Sequence, residues 1–240
     1  LYSNEKARIM RKVEANSKVI SDFISWFNET YNDAPSSQLI IARNIVNCFI
    51  SSFISKMSPN KDVPDLYRRL LTECLHEIIY PGIYENLFAI YCHHFYKKDQ
   101  EILNATQSII NEPPSYYQQE VEWSEEAIEN FKVAIQCITS CYNETIPLKK
   151  LRELVKCYNE FANSIPDNVS VGADLLVPTL VYFLVQANIP HLSSLFALIL
   201  DSLDHTELIK PDEEYLFVTI HSLVLEFPKI CGGKGYGDKH

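Results

Sequence analysis

The chain has 240 residues, enough for one large domain with a substantial core. Its 31 Asp and Glu outnumber its 21 Lys and Arg, a formal charge of −10, so nucleic acid and anionic membrane, which call for a basic surface, are not expected as direct partners. Six glycines, with no Gly-rich loop at a strand–helix junction, argue against a chain that itself cradles phosphates or dinucleotides.

Every long segment repeats at three to four residues, the period of a helix with one buried face. In 4–29 the apolar stripe is Ile9, Val13, Ile20, Phe23 and Phe27. Ala34-Pro35-Ser36 breaks the chain, and 38–57 follows with Ile41, Ile45, Cys48/Phe49, Phe53 and Met57. A turn at 58–62 leads to 64–79 (Leu66, Leu70, Cys74, Ile78), with Pro64 where a first-turn proline is welcome. Pro81-Gly82 then reads as punctuation before 83–97 (Leu87, Tyr91, Phe95), and 98–111 as a further short helix. Glu112-Pro113-Pro114-Ser115 is the strongest boundary in the chain.

Beyond it, Ser124 with Glu125 and Glu126 reads as an N-cap with an acidic first turn, opening a helix through Phe131, Ile135, Ile138 and Tyr142. Pro147 opens the next, with Leu148, Leu151, Leu154/Val155, Tyr158 and Phe161. The segment 171–191 is apolar almost all round, the mark of a buried helix, and stops at Ala187-Asn188-Ile189-Pro190. A short helix from Leu192 to Leu203, a polar loop through Pro211 and a last helix (Leu216, Ile220, Leu223, Phe227) complete the periodic part. The expectation is an all-α fold of nine or ten helices: an N-terminal bundle over 1–112 packed against a core over 113–230 as one compact unit, and a flexible tail over 231–240.

Seven scattered cysteines, mostly inside apolar runs, read as core thiols of a reducing compartment. Cys137 and Cys141 could meet Cys157, but no C-x-x-C pair accompanies them and no metal is expected. Matches to N-x-[ST] begin at Asn28, Asn104, Asn143 and Asn168 and carry no weight without a secretory signal, which the opening residues do not resemble. No uninterrupted apolar run reaches the roughly 18 residues of a membrane span. His93-His94 point about a third of a turn apart, poor geometry for two-point ligation, and read as solvated surface.

Two features stand out. Asp174 and Pro178 sit near the head of the buried helix, and Pro178 deprives the Asp174 carbonyl of its i+4 donor, so a bent or opened turn is expected. The carboxylate has two readings: a cap for nearby N–H groups, or a group presented to a partner. In the last helix Tyr215 and Thr219 are i,i+4 and share a face offset from the core stripe. They either present hydroxyls beside an apolar groove, or form a half-buried tyrosine with Thr219 bonded back to its own backbone. No G-x-S-x-G, H-E-x-x-H or paired-carboxylate motif supports covalent chemistry.

From about Pro147 to Phe227 the chain resembles the vacuolar-protein-sorting-nine (Vps-nine) domain family. The likeness is carried by 172–182, GADLLVPTLVY, by Gln186-Ala187-Asn188-Ile189-Pro190, and by Asp212-Glu213-Glu214-Tyr215-Leu216-Phe217-Val218-Thr219. The resemblance implies an all-helical guanine nucleotide exchange factor, without a cofactor of its own, for a Rab-five-subfamily GTPase in its GDP-bound or nucleotide-free form. It further implies a cytoplasmic location with peripheral recruitment to early endosomes and no direct insertion into the membrane.

Residue by residue, the family's inserted aspartate falls on Asp174, its switch-contacting proline on Pro178 and its threonine on Thr219. Where the family has two adjacent acidic residues, this chain has Asp174-Leu175. The family tyrosine, three before the threonine, falls on Leu216, with Tyr215 one earlier. Either Tyr215 takes that role on a rotated helix or the hydroxyl contact is lost. The alternative to an exchange factor is a helical adaptor that binds a Rab or another protein without releasing nucleotide.

Overall fold

The computed structural model describes residues 2–58, 64–117, 124–165, 172–203 and 208–232. Among them every regular element is a helix: α1 (Tyr2–Glu14), α2 (Ser17–Tyr31), a short 3-10 turn (Ser36–Gln38), α3 (Leu39–Met57), α4 (Asp65–Ile109), α5 (Pro114–Tyr117), α6 (Glu125–Asn143), α7 (Pro147–Asn163), α8 (Ala173–Ala187), α9 (Leu192–Leu203) and α10 (Pro211–Gly232). The all-α expectation holds. Residues 59–62 of the second turn, Asn168, Val171 and 233–240 of the tail fall outside the described residues; Cys231 and Gly232 close α10. The chain forms two compact units: Leu1–His94 with Thr145–Leu148 and Ala197–Lys210, and Phe95–Glu144 with Lys149–Phe196 and Pro211–His240.

The first unit corrects three details of the sequence reading. The segment 4–29 is two helices, because Asn16 leaves helical geometry (φ −107°, ψ 20°) while its amide donates to the Lys12 carbonyl at 3.0 Å; a side chain that can bond the preceding turn offers the backbone an exit. Pro81-Gly82 does not break the chain: α4 runs through both. The lost hydrogen bond at Pro81 is outweighed by the buried Ile79, Tyr80, Ile83, Leu87, Ile90 and Tyr91 on either side of it. Gly82 serves instead as a crossing point. A Cβ there would stand 2.9 Å from Ile24 of α2, and its carbonyl accepts from Asn28 Nδ2 at 2.8 Å.

In α3 the buried face is Leu39, Ala42, Val46, Ile50 and Phe53, while Ile41 and Cys48 are exposed. The helix is apolar on most sides, so its period alone leaves the rotation open. Its polar residues settle it: Arg43 pairs with Asp201 at 3.0 Å, and the other oxygen of Asp201 accepts from the Tyr91 hydroxyl at 2.9 Å. Ser36–Met57 is long and apolar enough to cross a membrane by composition, yet this polar anchoring and one-sided burial are those of a helix packed in a bundle.

His76 of α4 is buried against the Tyr80 ring (4.9 Å), and burial pushes its imidazole down to about 4. Between that value and the unfolded 6.5 the unfolded chain binds a proton that the folded chain refuses. Stability is therefore intact above 6.5 and drains away as pH falls. Going from pH 7 to pH 5 is expected to cost about 2 kcal/mol through this residue. Denaturant melts at both pH values check it: His76→Phe loses that part of the pH dependence, and an unchanged slope refutes it.

The second unit carries the site. Ser124 caps α6 as the sequence suggests, its Oγ accepting from Ala127 N at 3.1 Å. Lys150 of α7 lies fully buried and donates to the Cys141 and Tyr142 carbonyls of α6, each at 3.0 Å. Asp99, at the far end of α4, is buried as well and accepts from Ser193 N (2.7 Å), Ser194 N (3.3 Å) and the Ser194 hydroxyl, closing the N-terminus of α9. His191 Nδ1 stands 3.6 Å from the same carboxylate. Burial raises the Asp99 carboxyl above its usual range against the pull of these partners. Neither Lys150 nor Asp99 shows in the sequence as anything but a polar residue.

Candidate functional site

Helix α8 is the buried helix that its composition suggests. Phe183 packs edge-on against Phe131 of α6 (5.1 Å) and Phe161 of α7 (6.0 Å), and Tyr182 against Tyr117 of α5 (5.3 Å). Its C-terminus ends on Asn188 in the left-handed region (φ 47°), whose N–H donates to the Leu184 and Val185 carbonyls. Asparagine tolerates this conformation better than most side chains, which makes the Ala-Asn-x-Pro stop a physical one.

At the other end the cap residue is Gly172. Its carbonyl accepts from Leu175 N (3.1 Å) and Leu176 N (3.0 Å), and no side chain caps this terminus from the N-cap position. Asp174 lies in the first turn and is exposed. Pro178 is buried one turn on, and the helix runs unbroken through it. Beside it, Thr179 Oγ1 donates to the Leu175 carbonyl at 2.8 Å. The i,i+4 pair thus runs from solvent at Asp174 into the interior at Pro178.

Helix α10 starts at Pro211 with Asp212, Glu213 and Glu214 in its first turn, where carboxylates suit the helix dipole. The predicted stripe Leu216, Ile220, Leu223 and Phe227 is buried, joined by Phe217 and Val224. Phe217 and His221 stack with Phe196 of α9 (5.5 and 6.0 Å), which fixes the rotation of α10; burial lowers the His221 imidazole. On that rotation Tyr215 is 73% exposed and Leu216, where the family tyrosine aligns, is 6% exposed. Thr219 Oγ1 donates to the Tyr215 carbonyl at 2.8 Å, so its proton is committed to its own helix and the hydroxyl is left to act as an acceptor.

A cavity of about 200 Å³ opens between α7, α8 and α10. Tyr215, Leu216 and Thr219 line it from α10, with Asp212 and Glu213 at the start of that helix; Leu176 lines it from α8; Val155, Tyr158 and Asn159 line it from α7. Two of the four sequence-derived site residues, Tyr215 and Thr219, therefore meet at one cavity. Asp174 and Pro178 are not in its lining; Asp174 precedes Leu176 by two residues. The α7 contribution is missing from the sequence reading, which assigned Val155 and Tyr158 to the core stripe. Both are only half-buried, whereas Leu154, Cys157 and Phe161 take the core. The sequence offered no signal for this: adjacent apolar pairs such as Leu216/Phe217 in α10 are both buried, so Leu154/Val155 could equally have been.

The lining thus mixes apolar side chains (Val155, Leu176, Leu216) with polar and acidic ones (Tyr158, Asn159, Asp212, Glu213, Tyr215, Thr219). Among the described residues no group of three His, Cys, Asp or Glu is placed to hold a metal ion. Residues 131–229 match the profile of the Vacuolar sorting protein 9 (VPS9) domain, a stretch from Phe131 in α6 to Lys229 in α10 that contains α7, α8 and α9 entire. No curated protein matches the chain.

Proposed function

We propose that this chain binds a Rab-five-subfamily GTPase and releases its GDP, with Asp174, Pro178, Tyr215 and Thr219 at the site: residues 131–229 match the VPS9 domain, a family that acts as guanine nucleotide exchange factors on such GTPases. The observation that supports the reading is Asp174, an exposed carboxylate in the first turn of a helix that is otherwise largely buried.

In a small GTPase the nucleotide is gripped by a P-loop lysine and by Mg²⁺ against the phosphates. A carboxylate brought into that pocket pairs with the lysine and opposes both phosphate and metal coordination, so nucleotide affinity falls without any bond being broken. The rigid α8, pinned through Phe183 on two neighbouring helices, sets the position of that charge. Pro178 shapes the same turn from within by removing a backbone donor. The setting this function implies is the cytoplasm, with peripheral recruitment to early endosomes.

Release of a fluorescent GDP from purified Rab-five-subfamily GTPases tests the reading. Acceleration in proportion to the concentration of this chain supports it. Binding without acceleration makes the protein an adaptor.

Tyr215 has its own test, because its hydroxyl makes no hydrogen bond among the described residues. Tyr215→Phe keeps the ring and is expected to slow exchange about twofold to tenfold, the worth of one hydrogen bond to the partner, with no change in melting. Equal rates for variant and parent remove Tyr215 from the site.

A further inference from the structure

We propose that the cavity between α1 and the start of α4 binds a small organic phosphate, a monoester gripped by Arg8 and Arg11 with its apolar body lying on Leu66 and Tyr67. The inference goes beyond the exchange-factor reading and does not depend on it.

Three observations carry it. First, the cavity is of ligand size and its walls are fixed. It measures about 590 Å³, inside the roughly 300–1,000 Å³ of small-molecule sites. One wall is the face of α1 that carries Asn4, Glu5, Arg8 and Arg11; the other is Pro64, Leu66 and Tyr67. Ile9 and Val13 of α1 are fully buried, and Lys6 Nζ pairs with Glu73 (3.0 Å) and Glu77 (2.9 Å) of α4, so α1 is pinned in place. Across the cavity, Tyr67 N donates to the Pro64 carbonyl at 2.9 Å, which fixes the second wall.

Second, the α1 wall carries cationic donors that the chain leaves uncommitted. Arg11 Nε donates to the Ala7 carbonyl at 3.3 Å, and its two terminal nitrogens bond nothing among the described residues. Arg8 gives one nitrogen to Glu5 at 2.7 Å, an exposed pair of small worth. The Asn4 amide and the Tyr67 hydroxyl are unbonded among the described residues as well. Arg8 and Arg11, three residues apart on a helix, share a face, so both guanidinium forks reach one anion. A phosphate monoester brings three acceptor oxygens and nearly two charges, enough to displace Glu5 from Arg8 and engage both forks. A lone carboxylate brings no more than Glu5 already supplies.

Third, the apolar wall is open. Leu66 is 47% exposed, beside Pro64 and the Tyr67 ring, with Lys12 Nζ 5.5 Å from the centre of that ring. A ring or short chain on the phosphate takes Leu66 out of water. Charge selects the size of the ligand. The chain as a whole, at −10, repels an extended anionic surface, whereas a small ion meets two arginines against the single carboxylate of Glu5.

Titration calorimetry of the full chain tests this with phenyl phosphate, with inorganic phosphate, and with phosphatidylcholine vesicles containing about one-fifth phosphatidylserine. Phenyl phosphate is expected to bind about threefold to tenfold more tightly than inorganic phosphate, and more tightly as pH rises through about 6, where the phosphate gains its second charge. Arg8→Gln and Arg11→Gln should each weaken it about tenfold or more. Glu5→Gln, which removes the competing carboxylate, should tighten it about twofold to fivefold. Leu66→Ser should bring phenyl phosphate down to the level of inorganic phosphate. All four positions are on the surface, and a melting curve for each variant confirms that it is folded. The proposal is overturned if phenyl phosphate at millimolar concentration neither releases heat nor raises Tm, or if the arginine variants bind it as the parent does. Binding to the vesicles without binding to phenyl phosphate overturns it too, and makes the patch a membrane contact.

Discussion

Asp174→Ala is expected to slow GDP release on the order of a hundredfold while the melting temperature falls by no more than about 1–4 °C. The size follows from where the charge acts. A carboxylate that opposes phosphate in a water-poor pocket works only as the nucleotide leaves, so its removal costs rate and spares the rest of the interface. Binding to the nucleotide-free GTPase should weaken far less. The rival account, in which Asp174 merely caps α8, makes the opposite prediction: a stability loss of roughly 0.5–2 kcal/mol and a normal rate per folded molecule. The geometry of the helix start favours the first outcome. The cap position belongs to Gly172, and Asp174 lies inside the first turn and is exposed, where a carboxylate is worth about 0.3–1 kcal/mol against the helix dipole. A melting curve and a titration of release rate against the concentration of the chain, on one preparation, separate the two.

The largest stability effect is expected at Lys150. Its ammonium lies fully buried and supplies hydrogen bonds to two carbonyls in the last turn of α6, whose own helix has no donors left for them. Burial lowers the group to about 8, so it is still protonated at neutral pH. A cation at this end also meets the favourable end of the helix dipole. Lys150→Met keeps most of the stem but removes two charge-assisted hydrogen bonds, at about 1.5–3 kcal/mol each. A loss of about 3 kcal/mol, or roughly 10 °C in Tm, is expected. Urea unfolding checks it; an unchanged midpoint would mean that water reaches both carbonyls in place of the amine. Exchange per folded molecule should not change, because the Lys150 ammonium is buried against the α6 carbonyls and presents nothing to a partner.

These two residues differ in how legible they were. Asp174 was visible because a charge at the head of an all-round apolar helix conflicts with its surroundings in sequence, and the residues around it carried a family resemblance. Lys150 was not, because Lys149-Lys150 at the start of an amphipathic helix reads as solvated surface. Only the C-terminus of α6 beside it turns burial of that charge into a satisfied arrangement. Asp99 hid for the same reason: its partners are the N–H groups of Ser193 and Ser194, some ninety residues on.

By itself the sequence determined the helical class, the N-cap at Ser124, the starts at Pro147 and Leu192, the stop at Asn188 and the core stripe of α10, since these depend on local bonding and on a 3.6-residue period. It also carried the resemblance to the VPS9 family, through motifs within 147–227, inside the matched stretch 131–229. Tertiary structure decided the rest. Packing on both sides of Pro81 kept α4 whole, because buried apolar area outweighs one missing hydrogen bond. Polar partners across the first unit chose which face of α3 is buried. The stack of Phe196, Phe217 and His221 set the rotation of α10, and with it the exposure of Tyr215 and the burial of Leu216. Leu154, Cys157 and Phe161 of α7 fill the core and leave the half-buried Val155 and Tyr158 to line the cavity. A helical period states which residues share a face; which neighbour that face meets is settled only by the elements that compete for the same space.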